Sequence, residues 1–228
     1  MDKAEQYVEA GMALIQLGRR LQRFYPSPVK KGSQFDEAPI LKELLPEEKG
    51  IYIDIGASDP VDCSNTWPFY KRGWRGLLIE PLPDCWGAIL AERREDRLCP
   101  FAASNQSGLA SLHLCRTTSS LRQDWPAEPT EVIPVRVEPL REILKLYQDH
   151  DWRACSLLSI DVEGHEKEVL EGIDWTNFRP RVVIIEYADY RGGGGAVDMS
   201  VEWRKFLYRQ SYKLHYQNQL NQIWTFHV

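Results

Sequence analysis

The sequence lacks the features that mark several common classes of protein. No uninterrupted apolar run approaches the ~20 residues that cross a bilayer, so we expect no membrane span. The acidic start, Met1–Glu5, is not that of a signal peptide, which favours a cytoplasmic protein. An odd number of cysteines without a C-x-x-C pair argues against a zinc ribbon and a disulfide framework. The five are Cys63, Cys85, Cys99, Cys115 and Cys155.

An excess of positive charge is also missing. The chain has 28 Lys and Arg against 33 Asp and Glu, a net charge of -5. Such a surface does not attract a phosphate backbone, so we expect no nucleic-acid partner. Hydrophobic residues make up 43% and charged residues 27% of the chain, which excludes a disordered protein. The 228 residues fit one α/β domain of the usual ~150 residues with an appendage.

The appendage is predicted at the N-terminus. Apolar residues recur at helical spacing over 3–24, and a Pro/Gly/Ser-rich linker follows to about Ser33. We therefore divide the chain into an N-terminal helix and linker, 1–49, and a main domain, 50–228. The helix is expected to cap the core or to form a contact in a homo-oligomer, because its basic face is too poor for a membrane surface.

The main domain alternates strand and helix patterns. Buried strands are predicted at 51–56, 76–80, 98–102, 157–161 and 182–186, with helices between them. This order predicts a mainly parallel sheet with helices on both faces. Two further strands, 212–216 and 223–228, are too close for a crossover helix and must pair as an antiparallel hairpin. A seven-stranded, Rossmann-like sheet with such an ending is the architecture of class I methyltransferases.

Acidic residues end four of the predicted strands, namely Asp54, Glu80, Asp161 and Glu186. In an open parallel sheet, ligands bind beyond the carboxyl ends of the strands. Glu80 follows Asp54 by one strand-helix-strand unit, where a carboxylate can accept hydrogen bonds from both hydroxyls of a ribose. Taken alone, each acid could equally be a helix N-cap or a solvated loop residue rather than a ligand-binding residue. Together the four favour a cofactor site.

The turn after the first strand, Gly56-Ala57-Ser58-Asp59-Pro60, indicates which cofactor. Gly56 permits a close approach, but the glycines of a pyrophosphate-binding G-x-G-x-x-G loop are missing and Asp59 would repel phosphate. An acidic turn suits a cationic nucleoside without phosphate, such as S-adenosylmethionine. It disfavours an NAD-dependent oxidoreductase, although a non-catalytic nucleotide-binding scaffold stays open.

Four segments carry the strongest motifs: Ile53–Pro60, Phe69–Gly76, Ile79–Pro81 and Ser159–Glu166. Together they resemble the FkbM-type S-adenosylmethionine-dependent methyltransferases over about 50–228. The resemblance implies that S-adenosylmethionine is the cofactor and that Pro81 lies with Glu80 in its site. It also implies O-methylation of a sugar, a glycan or another small natural product.

The Ser159–Glu166 segment concentrates groups that can handle the proton of an acceptor hydroxyl. We expect Asp161 near the acceptor or the cofactor's amino group, with His165 or Glu163 as the general base. Two alternatives stay open: His165 as a solvated helix cap, and a divalent ion on Asp161 and Glu163 that orients a diol.

Smaller features complete the predicted site. Asn65 and Thr66 either contact the methionine carboxylate or cap a helix. Ala103 and Ser104, at the end of the third strand, are expected to flank the adenine. Two loops, from Thr117 and at 192–195, are expected to be mobile covers of the site.

Overall fold

The computed structural model describes residues 32–115, 119–124, 129–191 and 195–227, so the predicted helix at 3–24 lies outside the described residues. The strands are β1 (Gly32–Ser33), β2 (Ile51–Ile55), β3 (Asp62–Cys63), β4 (Arg75–Ile79), β5 (Arg97–Cys99), β6 (Ala102–Ser104), β7 (Gly108–Leu114), β8 (Glu131–Pro139), β9 (Cys155–Ile160), β10 (Val182–Glu186), β11 (Ala188–Arg191), β12 (Gly195–Asp198), β13 (Tyr212–Gln217) and β14 (Asn221–Phe226). The helices are α1 (Glu37–Leu44), α2 (Trp67–Lys71), α3 (Pro83–Glu92), α4 (Leu140–Leu146), α5 (Glu166–Glu171) and α6 (Ser200–Arg209).

The main sheet has seven strands in the order β13-β14-β10-β9-β2-β4-β5. The five strands from β5 to β10 run parallel, whereas β14 is antiparallel to both β10 and β13. The parallel sheet and its antiparallel C-terminal hairpin are thus confirmed. The chain has the α/β, Rossmann-like fold of class I methyltransferases.

Helices cover both faces of this sheet because its central strands are apolar on both sides. On one face Ile53 and Ile55 of β2 pack in a cluster that includes residues of α4, α5 and α6. On the other face Tyr52 packs with residues of α1 and α2, and Leu78 of β4 packs with Ile89 of α3. The two faces alternate along each strand, as the period of two requires.

The part of the N-terminal segment that the structure describes packs on the domain. Leu41 of α1 and Leu45 just after it are both completely buried in the cluster that holds Tyr52 and Trp74. Gly32 and Ser33 pair with Asp62 and Cys63 as short parallel strands. The assignment of 1–49 as a cap or as a homo-oligomer contact stays a prediction.

The third parallel strand is shorter than predicted. It ends at Cys99 rather than at Ala102, because Pro100 has no N–H group to continue the ladder. The chain then enters a separate three-stranded sheet in the order β6-β8-β7.

Within the part of the chain that the structure describes, no helix has the length and apolar character needed to cross a membrane.

Candidate active site

Four neighbouring parallel strands bring acidic residues to one edge of the main sheet. Asp54 lies in β2, Glu80 follows β4, Asp161 follows β9 and Glu186 ends β10. Because β4, β2, β9 and β10 are consecutive in the sheet, the strand-end acids predicted from the sequence meet at its carboxyl edge.

The turn after β2 packs directly against the end of β9. Gly56 has a φ of +82°, and a Cβ atom on it would lie 1.7 Å from the backbone oxygen of Asp161. The N–H of Gly56 also donates to the carbonyl of Ile79 at 2.9 Å, which ties the turn to β4. Glycine is therefore required here by the close approach of two segments of this chain, as well as by its backbone conformation.

Glu80 lies beneath the same turn. Its Oε2 accepts a hydrogen bond from the N–H of Ser58, and its Oε1 accepts one from the N–H of Leu82, both at 2.8 Å. The residue is 5% exposed, and this burial raises the pKa of its carboxyl to about 7, with a smaller contribution from Asp54. Each oxygen keeps acceptor capacity for a further donor, which suits recognition of two hydroxyl groups.

Asp54 and Thr66 belong to a buried polar network. Thr66 donates its hydroxyl to Oδ2 of Asp54 at 2.5 Å, and the guanidinium of Arg93 donates to the Thr66 oxygen at 2.9 Å. Burial raises the pKa of Asp54, and the hydrogen bond from Thr66 opposes that rise. Arg93 is 1% exposed and pairs with Asp96 at 2.8 Å.

Four other predicted cofactor residues lie at different depths around the turn. Asn65 is buried, and its Oδ1 accepts no hydrogen bond from the described residues. Ala57 packs with Ile89 of α3, whereas Ala103 is in the core on the opposite face of the sheet. Pro81 is half-buried next to Glu80.

The end of β9 holds a dense group of carboxyls, which we call the acid cluster: Asp161, Glu163, Glu166 and Glu186. Burial raises the pKa of each, and the charges of the others add to the rise at Glu163 and Glu186. Asp161 and Glu186 share a hydrogen bond. One oxygen from each of Asp161, Glu166 and Glu186 lies within 4.8 Å of the other two, whereas Glu163 is outside that set.

The backbone of this segment is held in an unusual turn. Glu163 and Gly164 both have positive φ, +56° and +90°, which is rare for a glutamate. Oε1 of Glu166 accepts hydrogen bonds from the N–H groups of Val162 and Gly164, and Ser120 donates its hydroxyl to the Glu163 carbonyl at 2.6 Å. Such strain at a cluster of acids is typical of a functional turn.

His165 lies between a serine and a glutamate. Its Nε2 is 3.0 Å from Oγ of Ser104, and its Nδ1 is 3.5 Å from Oε2 of Glu168. Burial lowers the pKa of His165, which favours the neutral ring at pH 7. Ser104, expected beside the adenine, thus contacts the predicted base.

The two loops expected to cover the site are described in part. Ser120 places the segment after Thr118 against Glu163, as the hydrogen bond above shows. In the glycine-rich loop, residues 192–194 lie outside the described residues, and β11 and β12 on either side pair as an antiparallel hairpin.

Sequence reasoning left three residues out of the predicted site. Glu186 was noticed only as a strand-end acid, and Glu166 only as part of a motif; their common signal is that β9 and β10 are adjacent parallel strands. Arg93 has no pattern in the sequence that could reveal it: Asp96 is near it along the chain, but its partners Pro60 and Tyr52 come from distant segments.

A cavity of about 310 Å³ lies away from this site. Leu140 of α4, Trp152 and Phe178 contribute to its wall. Trp152 precedes β9, so the cavity is near the amino edge of the sheet, opposite the acids.

Among curated proteins nothing matches the chain. A TehB-like SAM-dependent methyltransferase from Corynebacterium glutamicum is 11% identical, with a TM-score of 0.45 and 98% of each chain covered. The small RNA methyltransferase HEN1 is 11% identical, with a TM-score of 0.42, covering 87% of this chain and 27% of that one.

The family comparison is decisive. The model of the methyltransferase FkbM domain matches residues 54–214, which include the turn 56–60 (the cofactor turn), Glu80 and the acid cluster, and the match ends within β13. The chain belongs to the FkbM family of S-adenosylmethionine-dependent methyltransferases.

Proposed function

We propose that the chain transfers a methyl group from S-adenosylmethionine to a hydroxyl group of a sugar, a glycan or another small natural product. The observation that carries the proposal is the position of Asp161. Its backbone oxygen packs on Gly56 of the cofactor turn, while its carboxyl belongs to the acid cluster. A cofactor bound over the turn would therefore lie next to groups that can take a proton.

The residues around the turn fit S-adenosylmethionine. Glu80 offers two buried carboxylate oxygens for the ribose hydroxyls, and the unpartnered Oδ1 of Asn65 is an acceptor suited to an ammonium group. The turn that begins at Gly56 lacks the second and third glycines of a pyrophosphate-binding loop. When bound, S-adenosylmethionine supplies a methyl group on a positively charged sulfur.

The acid cluster provides candidates for the general base. Burial and the charges of Asp161 and Glu166 raise the pKa of Glu163, so its carboxylate is a stronger base than an exposed one. His165 is the second candidate, but Ser104 occupies its Nε2. A proton leaving the acceptor toward Nε2 of His165 would have to pass through the Ser104 hydroxyl, or the Ser104 contact would have to break.

Asp161 is proposed to position the acceptor between these groups. The Asp161→Asn variant keeps the size of the side chain but loses its charge, so we expect kcat to fall at least tenfold. Affinity for S-adenosylhomocysteine should change much less, because the backbone contact of Asp161 with the turn is retained. The measurement is methyl incorporation into a panel of hydroxylated acceptors, together with calorimetry. Glu171→Gln, on an exposed part of α5, is the matched control.

The second candidate function is a non-catalytic nucleotide-binding scaffold. It would bind S-adenosylhomocysteine without transferring methyl groups to any acceptor in the panel. Binding of NAD in place of the adenosyl ligands would contradict the proposed methyltransferase. Wild-type turnover in Asp161→Asn would remove Asp161 from the mechanism.

A further inference from the structure

Three carboxyls of the acid cluster converge from three separate elements. Asp161 follows β9, Glu166 opens α5 and Glu186 ends β10. One oxygen of each lies within 4.8 Å of the other two. Ligand oxygens on opposite sides of a divalent ion are about 4 to 5 Å apart, so this spacing can enclose one ion.

Among the described residues, these carboxyls have no cationic partner. Within the described parts of the chain, no Lys or Arg side chain forms an ion pair with Asp161, Glu166 or Glu186, and the charged neighbours that affect them are other acids. Their like charges repel one another in a poorly solvated place. Either protons or a cation must relieve that repulsion.

A second, independent observation concerns one oxygen of Glu186. Glu186 is 7% exposed, and its Oε2 is a buried atom without a hydrogen-bond partner among the described residues. A buried carboxylate oxygen left alone costs free energy, and such atoms in native proteins usually face a water or an ion. The hydrogen bond between Asp161 and Glu186 accounts for one contact of Glu186 and leaves its Oε2 unpaired among the described residues.

We propose that Asp161, Glu166 and Glu186 bind one divalent cation of the kind that prefers oxygen ligands, Mg²⁺ or Mn²⁺. The set corrects the pair suggested by the sequence, since Glu186 and Glu166 replace Glu163 as partners of Asp161. Oε1 of Glu166 already accepts two backbone N–H groups, so its other oxygen is the one that faces the ion. Three carboxylates leave positions for water and for oxygens of a bound molecule.

The role of the ion in methyl transfer rests on the proposed function. An acceptor hydroxyl bound to the cation would lose its proton more readily, because the positive charge stabilises the alkoxide. Two adjacent hydroxyls would occupy two positions of the same ion. The acceptor class that the site fits best is therefore a molecule with a vicinal diol, as in many sugars.

The test uses the full chain after treatment with a chelator and dialysis. Titration with MnCl₂, followed by calorimetry and by the electron paramagnetic resonance of free Mn²⁺, should show one site per chain. Glu186→Gln and Glu166→Gln should each weaken Mn²⁺ binding at least tenfold, since each loses a charged ligand. Glu171→Gln, in the same helix as Glu166 but exposed, should bind Mn²⁺ within about twofold of the wild type.

Affinity for S-adenosylhomocysteine is measured on the same proteins. Binding of the adenosyl ligand with no Mn²⁺ or Mg²⁺ site would overturn the cation site and leave the proposed function intact. Equal Mn²⁺ binding by the wild type, Glu186→Gln and Glu166→Gln would also overturn it. If the cation binds as expected but methylation of diols persists unchanged after its removal, the acceptor role is wrong.

Discussion

At the scale of single residues, Glu80 is held in place by the protein before any ligand arrives. Backbone N–H groups on both sides fix its two oxygens, while burial brings its pKa to about 7. The ionised form is the better acceptor for ribose hydroxyls. Cofactor affinity should therefore depend on pH in the neutral range, although an ordinary glutamate is fully ionised there.

The pKa of Glu80 is raised from its ordinary value to about 7, so the ionised carboxylate predominates above that pH and the protonated form below it. The dissociation constant of S-adenosylhomocysteine should fall about tenfold between pH 6 and pH 8 if only the ionised form binds well. Calorimetry over this range is the measurement. In Glu80→Gln, binding should be weaker and this part of the pH dependence should disappear. A slope that persists unchanged in Glu80→Gln would assign the titration to another group.

The polar residues at the turn show what sequence reasoning can reach at this scale. Strand-end acids such as Asp54 and Glu80 are predictable because ligands of an open parallel sheet bind at the carboxyl ends of its strands. The hydrogen-bond partner of Thr66 is not predictable in this way. Thr66 stands at the N-cap of α2 but makes no capping bond, because its hydroxyl is donated to Asp54, which only the folded sheet brings close.

At the scale of elements, Arg93 joins α3 to the segment before α2. Its guanidinium donates to the Pro60 carbonyl and to Thr66, stacks near Tyr70 and pairs with Asp96. Asp96 in turn accepts the N–H of Gly76 in β4 at 2.8 Å. One buried cation therefore holds the cofactor turn, a strand and a helix end in a fixed arrangement.

Arg93→Met should destabilise the fold by about 3 to 5 kcal/mol, because the substitution leaves the buried Asp96 carboxylate without its counterion. Arg94→Met, at the neighbouring exposed position, should change the free energy of unfolding by less than about 0.5 kcal/mol. Urea unfolding of both variants is the measurement. Equal stability of the two variants would show that the buried network contributes little.

Helices and strands were predictable where the pattern that indicates them lies within a short stretch of sequence. The hairpin of β13 and β14 followed from a short polar connection, and the five parallel strands followed from apolar runs. The three-stranded sheet was not predicted, because Ala102–Ser104 pairs with Val137–Pro139 more than thirty residues further along. No periodicity within β6 indicates so distant a partner.

At the scale of the whole molecule, the order of strands explains why distant acids meet. Positions 54, 80, 161 and 186 are spread over more than half of the chain, yet β4, β2, β9 and β10 are consecutive in the sheet. The architecture was predictable because it follows from the alternation of elements and the closing hairpin. The composition of the acid cluster was not, since it depends on how α5 is set against the ends of two strands.

The same arrangement makes a polyanionic acceptor unfavourable. The proposed acceptor region is lined by Asp161, Glu163 and Glu186, and the chain as a whole has a net charge of -5. A phosphate backbone gains affinity from lysines and arginines that displace its counterions, and this edge of the sheet would repel it. We therefore expect the chain to leave RNA unmethylated.

A short fluorescently labelled single-stranded RNA should show no change in anisotropy with the full chain, even at low salt, where electrostatic binding is strongest. It should also fail to become methylated under conditions in which a hydroxylated small molecule does. S-adenosylhomocysteine binding by the same preparation is the control for folded protein. Binding that weakens steeply as salt is added would contradict the prediction, because that dependence requires cationic contacts to phosphates that the described acidic edge does not provide.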